Sequence, residues 1–200
     1  MTESVKFGIA GLPVPQGTHL CGFYWGIDER DEMVFAFLRE GLRSGDKCLY
    51  ATDAIDRPAI QTELNCGADV PSTHQQLNIV SSSDVYLGRG DFSVPEMLGY
   101  WDGWAATSRD DGFSSARAVG EMTWAVTEII GAANIIRYET ELNGFVPRYP
   151  LVLLCVYELD KFRGDLLVDI MKTHPRVLMG CTVLENLYYV SHDELVNSRP

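Results

Sequence analysis

The sequence predicts an α/β fold, a mostly parallel sheet with helices on both faces, and three observations lead there. First, strand and helix patterns alternate along its 200 residues, and repeated βα units imply a parallel sheet covered on both sides. Second, the most hydrophobic segment, residues 151–157 (LVLLCVY), is too short for a buried helix and follows Pro150. It therefore reads as a central strand buried on both faces. Third, no linker-like composition break, repeat or low-complexity tract divides the chain. Residues 1–200 read as one domain, with residues 1–16 as an N-terminal extension.

The elements follow in order. Residues 18–25 (THLCGFYW) read as a strand and 31–44 as a helix, in which Val34, Phe37, Leu38 and Leu42 recur at the spacing of one buried face. Gly45 ends that helix, where a left-handed cap residue is usual. Residues 47–52 form a second strand and 55–65 a second helix with Pro58 in its first turn. A short strand is expected at 77–80, a helix at 95–108, a strand at 113–121 and a long amphipathic helix at 124–142. Ser81 to Asp84 reads as an ordinary loop. After the central strand, residues 165–173 form a helix that ends before His174-Pro175. Residues 176–184 and 188–190 look like a closing hairpin or edge pair. Ligands in such sheets bind at the carboxyl ends of the strands.

Composition narrows the function. Net charge is −12, from 28 acidic and 16 basic residues, with no cluster of Lys and Arg. Direct nucleic-acid binding needs a basic footprint and is not expected, and anionic membrane surfaces are disfavoured for the same reason. No apolar run approaches the roughly 20 residues that span a membrane, and the N-terminus has no signal-peptide pattern. The expected location is cytoplasmic. Five cysteines (21, 48, 66, 155 and 181) are scattered without a CxxC pair, which argues against a disulfide framework and a structural zinc site. Cys48, Cys155 and Cys181 sit in apolar runs and read as small buried hydrophobes.

Residues 17–53 are similar to the opening of KaiC/RecA-type ATPases: strand, loop, helix, the phrase FLREGLRSGDK, then strand. The phosphate-binding loop departs from that pattern. GxxxxGK[ST] supplies backbone N–H groups, a lysine and a magnesium-holding hydroxyl. Here the loop reads GIDERDE, with four carboxylates that repel a nucleotide tail. Neither ATP nor magnesium is expected as a cofactor. The same segment, with GEMTWA (120–125), RYETELN (137–143), VPRYPLVLLCVYELDKF (146–162), KTHPRVLMG (172–180) and NLYYVSHDEL (186–195), resembles the MEDS family, DcmR-type sensory domains. The resemblance implies a KaiC-like fold with a degenerate phosphate loop. It also implies a role in signal transduction or transcription regulation as a sensor of small organic molecules, working with a signalling or regulatory protein partner.

Candidate site residues combine position and motif. His19 and Cys21 lie two apart on one strand face, continued by Phe23, and can grip a ligand or pair as an activated thiolate. The family pattern HxCxFY is matched by His19, Cys21, Phe23 and Tyr24. Glu121 and Trp124 follow the fourth strand, where a carboxylate can meet a polar ligand group. Arg117 shares a face with Glu121 and can simply pair with it. Tyr157 and Glu158 end the central strand, and His174 reads either as a site residue or as a helix-end dipole partner. Arg137, Tyr138 and Glu139 read as an exposed helix face. Trp101 and Trp104 read as core packing rather than a pocket wall. No catalytic residue is assigned, no GxSxG elbow is present, and spacing gives no support for a metal site. The leading reading is a non-catalytic small-molecule sensor. A thiol redox sensor or enzyme using Cys21 and His19, and an assembly protein such as a homo-oligomer, are the alternatives.

Overall fold

The computed structural model describes residues 4–5, 8–54, 56–66, 73, 75–88, 92–126, 132–191 and 194. Three short strands open the chain: β1 (Ser4–Val5), β2 (Ala10–Gly11) and β3 (Val14–Pro15). Then come β4 (Thr18–Tyr24), α1 (Gly26–Arg43), β5 (Lys47–Ala51), α2 (Arg57–Leu64) and β6 (Leu77–Val80). They are followed by α3 (Ser82–Leu87), α4 (Val94–Asp110), β7 (Ala116–Glu121) and α5 (Ala132–Phe145). The chain closes with β8 (Leu151–Glu158), α6 (Gly164–Lys172), β9 (Arg176–Met179) and β10 (Thr182–Glu185).

Eight strands form one sheet in the order β2-β10-β9-β4-β8-β7-β5-β6, and the six from β9 to β6 are parallel. The segment expected at the centre is there: β8 lies between β4 and β7, parallel to both. Residues alternate between faces with the two-residue period of a strand. Cys21, Phe23, Leu153 and Cys155 pack beneath α4, α5 and α6, whereas Leu20, Tyr24, Leu154 and Val156 pack beneath α1 and α2.

Local chemistry explains most boundaries. Asp28 and Glu29 sit in the first turn of α1, and Glu29 reaches back to accept the Trp25 N–H at 2.6 Å, a favourable use of the helix dipole. Gly45, at φ +80°, takes the left-handed turn after the helix end. Asp56 caps α2 by accepting from Ala59 N.

Several expectations are corrected. Ser81 begins a helix, not a loop, because its hydroxyl accepts the Asp84 N–H and caps α3. The helix expected at 124–142 is a short 3-10 turn at Thr123–Val126 and then α5, which runs on to Phe145. Its intervening residues 127–131 lie outside the described residues, as do Ile55 and most of residues 192–200. Only residues 176–179 and 182–185 form the closing hairpin, turning at Gly180, while Val190 donates its N–H to the Lys172 carbonyl instead. Cys181 is exposed on that turn rather than buried.

Arg117 does not pair with Glu121. Its fully buried guanidinium donates to Asp46 at 2.6 Å and to the Phe37 carbonyl at 3.1 Å. Gly41 of α1 lets it through, since a Cβ there would stand 2.7 Å from Arg117 Cδ. Alanine substitution therefore has opposite signs at two helical glycines. Gly41→Ala is expected to cost about 1–3 kcal/mol by overpacking. Gly103→Ala, on the exposed side of α4 with open space around it, is expected to add about 0.5–1 kcal/mol. Urea denaturation of the two variants measures both.

Candidate functional site

The predicted residues divide between the two faces of the sheet. On the α1 face, at the carboxyl ends of the strands, Glu121 is 5% exposed and accepts from Arg30 at 3.0 Å, Thr52 at 2.5 Å and Tyr24 at 3.4 Å. Arg30 is also buried and makes two bonds to Asp31, at 2.9 and 2.7 Å. The loop that was expected to present carboxylates is the first turns of α1, and its arginine folds inward over the strand ends. Burial disfavours the Arg30 charge, but Tyr50, Glu121 and Asp31 outweigh it and hold the group more strongly cationic than usual. Burial and then Glu121 push the Tyr24 phenol far up, so it stays neutral.

On the opposite face a polar cluster sits wholly inside the molecule. His19 from β4, Cys155 from β8, Glu139 from α5 and His174 from the α6–β9 junction are each at most 1% exposed. Glu139 Oε2 lies 3.1 Å from His19 Nε2 and 3.2 Å from His174 Nε2. His19 Nε2 is also 3.4 Å from Cys155 Sγ. The two imidazoles lie 4.2 Å apart between ring centres, and Tyr157 donates its hydroxyl to Glu139 Oε1 at 2.6 Å.

The network fixes both histidine tautomers. Asn143 donates its amide N–H to the Thr173 carbonyl at 2.5 Å and the Glu139 carbonyl at 3.2 Å, which leaves Oδ1 to accept from His19 Nδ1 at 3.2 Å. His174 Nδ1 donates to the Ile170 carbonyl at 2.8 Å. Both Nε2 atoms therefore face Glu139 and Cys155. Burial opposes the charge of Glu139, but the two imidazoles outweigh it and hold the carboxyl well below the usual range. Burial also opposes an imidazolium at His174. There the sulfurs of Cys21 and Cys155 and the Glu139 carboxylate prevail and raise its basicity. Burial and the His174 charge lower that of His19. Burial, reinforced by Glu139, pushes the Cys155 thiol up.

The sulfur that meets His19 is thus Cys155, while Cys21 Sγ turns to the Arg176 carbonyl at 4.0 Å. His174 is a core residue that also partners the end of α6, through its bond to the Ile170 carbonyl. Phe23 packs on Tyr157 at 6.0 Å. Trp124 stacks on Tyr86 at 4.2 Å and meets Phe92 at 5.0 Å. Glu139 and Tyr138 are buried, contrary to the exposed-face expectation, and only Arg137 of that trio is exposed. A legible signal was available: Ile135, Glu139 and Leu142 share one helical stripe, which places the carboxylate among buried neighbours. Arg30 and Thr52 carried no comparable signal.

Beyond the end of β6 lies a cleft of about 660 Å³, lined among others by Val80, Val85, Tyr86, Met97, Tyr100 and the polar Arg57, Asp84 and Glu96. Tyr86 lines the cleft and backs it with Trp124. Burial and then Cys155 and Glu139 raise its phenol, so it lies within electrostatic reach of the buried cluster.

Removing one partner of the strand-end pair strands the other charge. Glu121→Ala is expected to destabilise by about 3–5 kcal/mol. The Arg30→Met/Glu121→Leu double variant is expected to lose less than the sum of its singles, by about 0.5–3 kcal/mol, in a double-mutant cycle read by denaturation.

Comparisons with known proteins agree with this architecture. The chain is 28% identical over 175 residues to the transcriptional repressor DcmR of Methylorubrum extorquens, covering 86% of this chain and 63% of that protein. It spans less than two thirds of that relative's length. A KaiC-like protein from Pyrococcus horikoshii superposes with a TM-score of 0.61 at 14% identity, over 90% of this chain and 81% of that one. The flagellar accessory protein FlaH from Methanocaldococcus jannaschii gives 0.54 at 7% identity, over 82% and 71%. These two establish the KaiC-like fold alone. The family model of the methanogen/methylotroph, DcmR sensory domain matches residues 18–175, most of the chain, and the chain belongs to this MEDS family of sensory domains.

Proposed function

We propose that this chain is a non-catalytic input domain that regulates a protein partner by binding a small, uncharged or cationic organic ligand. The observation that carries the reading is Arg30. In the related fold the strand ends receive phosphate at a helix N-terminus. Here a buried guanidinium lies across them and is neutralised by Glu121 at 3.0 Å. An internal ion pair therefore stands where a nucleotide's charge would otherwise be answered, and the acidic first turns of α1 add repulsion.

The seat for a different ligand is the cleft beside β6. Its volume of about 660 Å³ is in the range of small-molecule sites, which are mostly apolar with a few polar groups. Val80, Val85, Met97, Tyr86 and Tyr100 supply the apolar wall, and Arg57, Asp84 and Glu96 supply its charged groups, of which Asp84 suits a cationic or hydrogen-bonding group. Membership of a sensory family supports the regulatory role, as does similarity to a repressor. Among the described residues no helix is long and apolar enough to cross a membrane.

Native mass spectrometry of freshly purified protein is expected to show a co-purified molecule of a few hundred daltons or less. Met97→Trp, which fills the cleft, is expected to abolish that retention while leaving the circular dichroism spectrum unchanged. Retention unaffected by Met97→Trp would place the ligand elsewhere. Calorimetry with millimolar ATP is expected to show no binding, and micromolar affinity for ATP would overturn the reading.

A further inference from the structure

We propose that His19 Nε2, His174 Nε2, Glu139 Oε2 and Cys155 Sγ hold one divalent transition-metal ion, zinc by ligand preference, in a closed four-coordinate site. The four donor atoms lie within 4.8 Å of one another and all four residues are buried. Tetrahedral ligands at zinc bond lengths stand roughly 3.3–3.6 Å apart. The measured separations of 3.1, 3.2 and 3.4 Å are close to those edges.

Direction matters as much as distance. Glu139 Oε2 and His174 Nε2 are 3.2 Å apart, yet neither has a hydrogen-bond partner of acceptable alignment. The two atoms are therefore close without being aligned along a common hydrogen bond. Outer partners are in place as well: Asn143 holds His19 Nδ1, the Ile170 carbonyl holds His174 Nδ1, and Tyr157 holds the second carboxylate oxygen. Such partners orient metal-binding imidazoles and carboxylates.

Charge also balances. A divalent ion meets one carboxylate and one thiolate, so the site is neutral inside a low-dielectric core. Binding forms the bond to Cys155 sulfur and releases its thiol proton. The Nε2 proton of the His174 imidazolium leaves too, and both go to solvent. Imidazole, carboxylate and thiolate together favour zinc-like ions over magnesium or calcium, which take oxygen ligands. The ion would pin β4, β8, α5 and the α6–β9 junction together. It requires no occupant in the cleft, so it stands whether or not the ligand reading does.

The test uses the full chain with its exposed cysteines replaced (Cys66→Ser and Cys181→Ser), stripped by a chelator and titrated with Co²⁺ and Zn²⁺. One equivalent is expected to bind, with a thiolate-to-cobalt charge-transfer band in the near ultraviolet. The band is expected to vanish in Cys155→Ser and to persist in Cys21→Ser. His174→Gln is expected to weaken zinc binding at least tenfold. Thermal melting of the parent chain supplies a readout independent of variant folding, with a stoichiometric rise in Tm on adding Zn²⁺ that a chelator reverses. A folded parent chain that takes up no metal, an unshifted Tm, or a charge-transfer band that survives Cys155→Ser would each overturn the proposal.

Discussion

Glu139 is a fully buried carboxylate, and its need for compensation organises one face of the sheet. An ion in that position is tolerable only if opposite charge and hydrogen bonds meet it from several sides. His19 arrives from β4, His174 from the α6–β9 junction and Tyr157 from β8. Asn143, one turn along α5, ties the backbone of Thr173 to the same point. The helix cannot slide or rotate over the sheet without breaking every one of these contacts. The docking of α5 and α6 is thereby set by polar geometry, and the aromatic packing of Trp101, Tyr138 and Tyr86 fills in around it.

The other face solves a different problem with the same physics. A KaiC-like sheet leaves polar strand ends beneath a helix N-terminus, a place suited to anions. This chain places Arg30 there and answers it with Glu121 and Asp31, Glu121 being held in turn by the Thr52 hydroxyl. Farther back on that face, Arg117 and Asp46 form a second buried pair threaded past Gly41. Two internal ion pairs on the α1 face and one buried polar cluster on the α5 face fill those places among the described residues, whereas the cleft beside β6 is roomy and mostly apolar. Tyr86 joins these regions, since it lines the cleft and its phenol is raised by burial and then by its neighbours in the cluster, Cys155 and Glu139.

Which residues would meet was decided by parity and by distance along the chain. His19, Cys21 and Phe23 share a strand face by the two-residue period, and that much could be read directly. The same period sets Tyr24 and Glu121 on the opposite face, so a single ring of ligands containing both His19 and Glu121 cannot form around one space. Cys155 carries no signal of its own in the sequence, because a lone cysteine in an apolar strand reads as packing, and only the β4–β8 register sets it beside Cys21 and within reach of His19. Arg30 was hidden in the opposite way, by four acidic neighbours that dominate the local charge.

By itself the sequence determined the alternation of strands and helices, the doubly buried central strand, the loss of the phosphate loop and the family. All of these are local or nearest-neighbour properties: hydrophobic period, glycine and proline positions, a missing lysine. Tertiary structure alone decided that residues 19, 139, 155 and 174 would converge, because side chains separated by up to 155 positions are brought together only by strand order and helix docking. It likewise decided that Arg30 would turn inward, since the free energy of burying a charge depends on the partner waiting at the end of another strand.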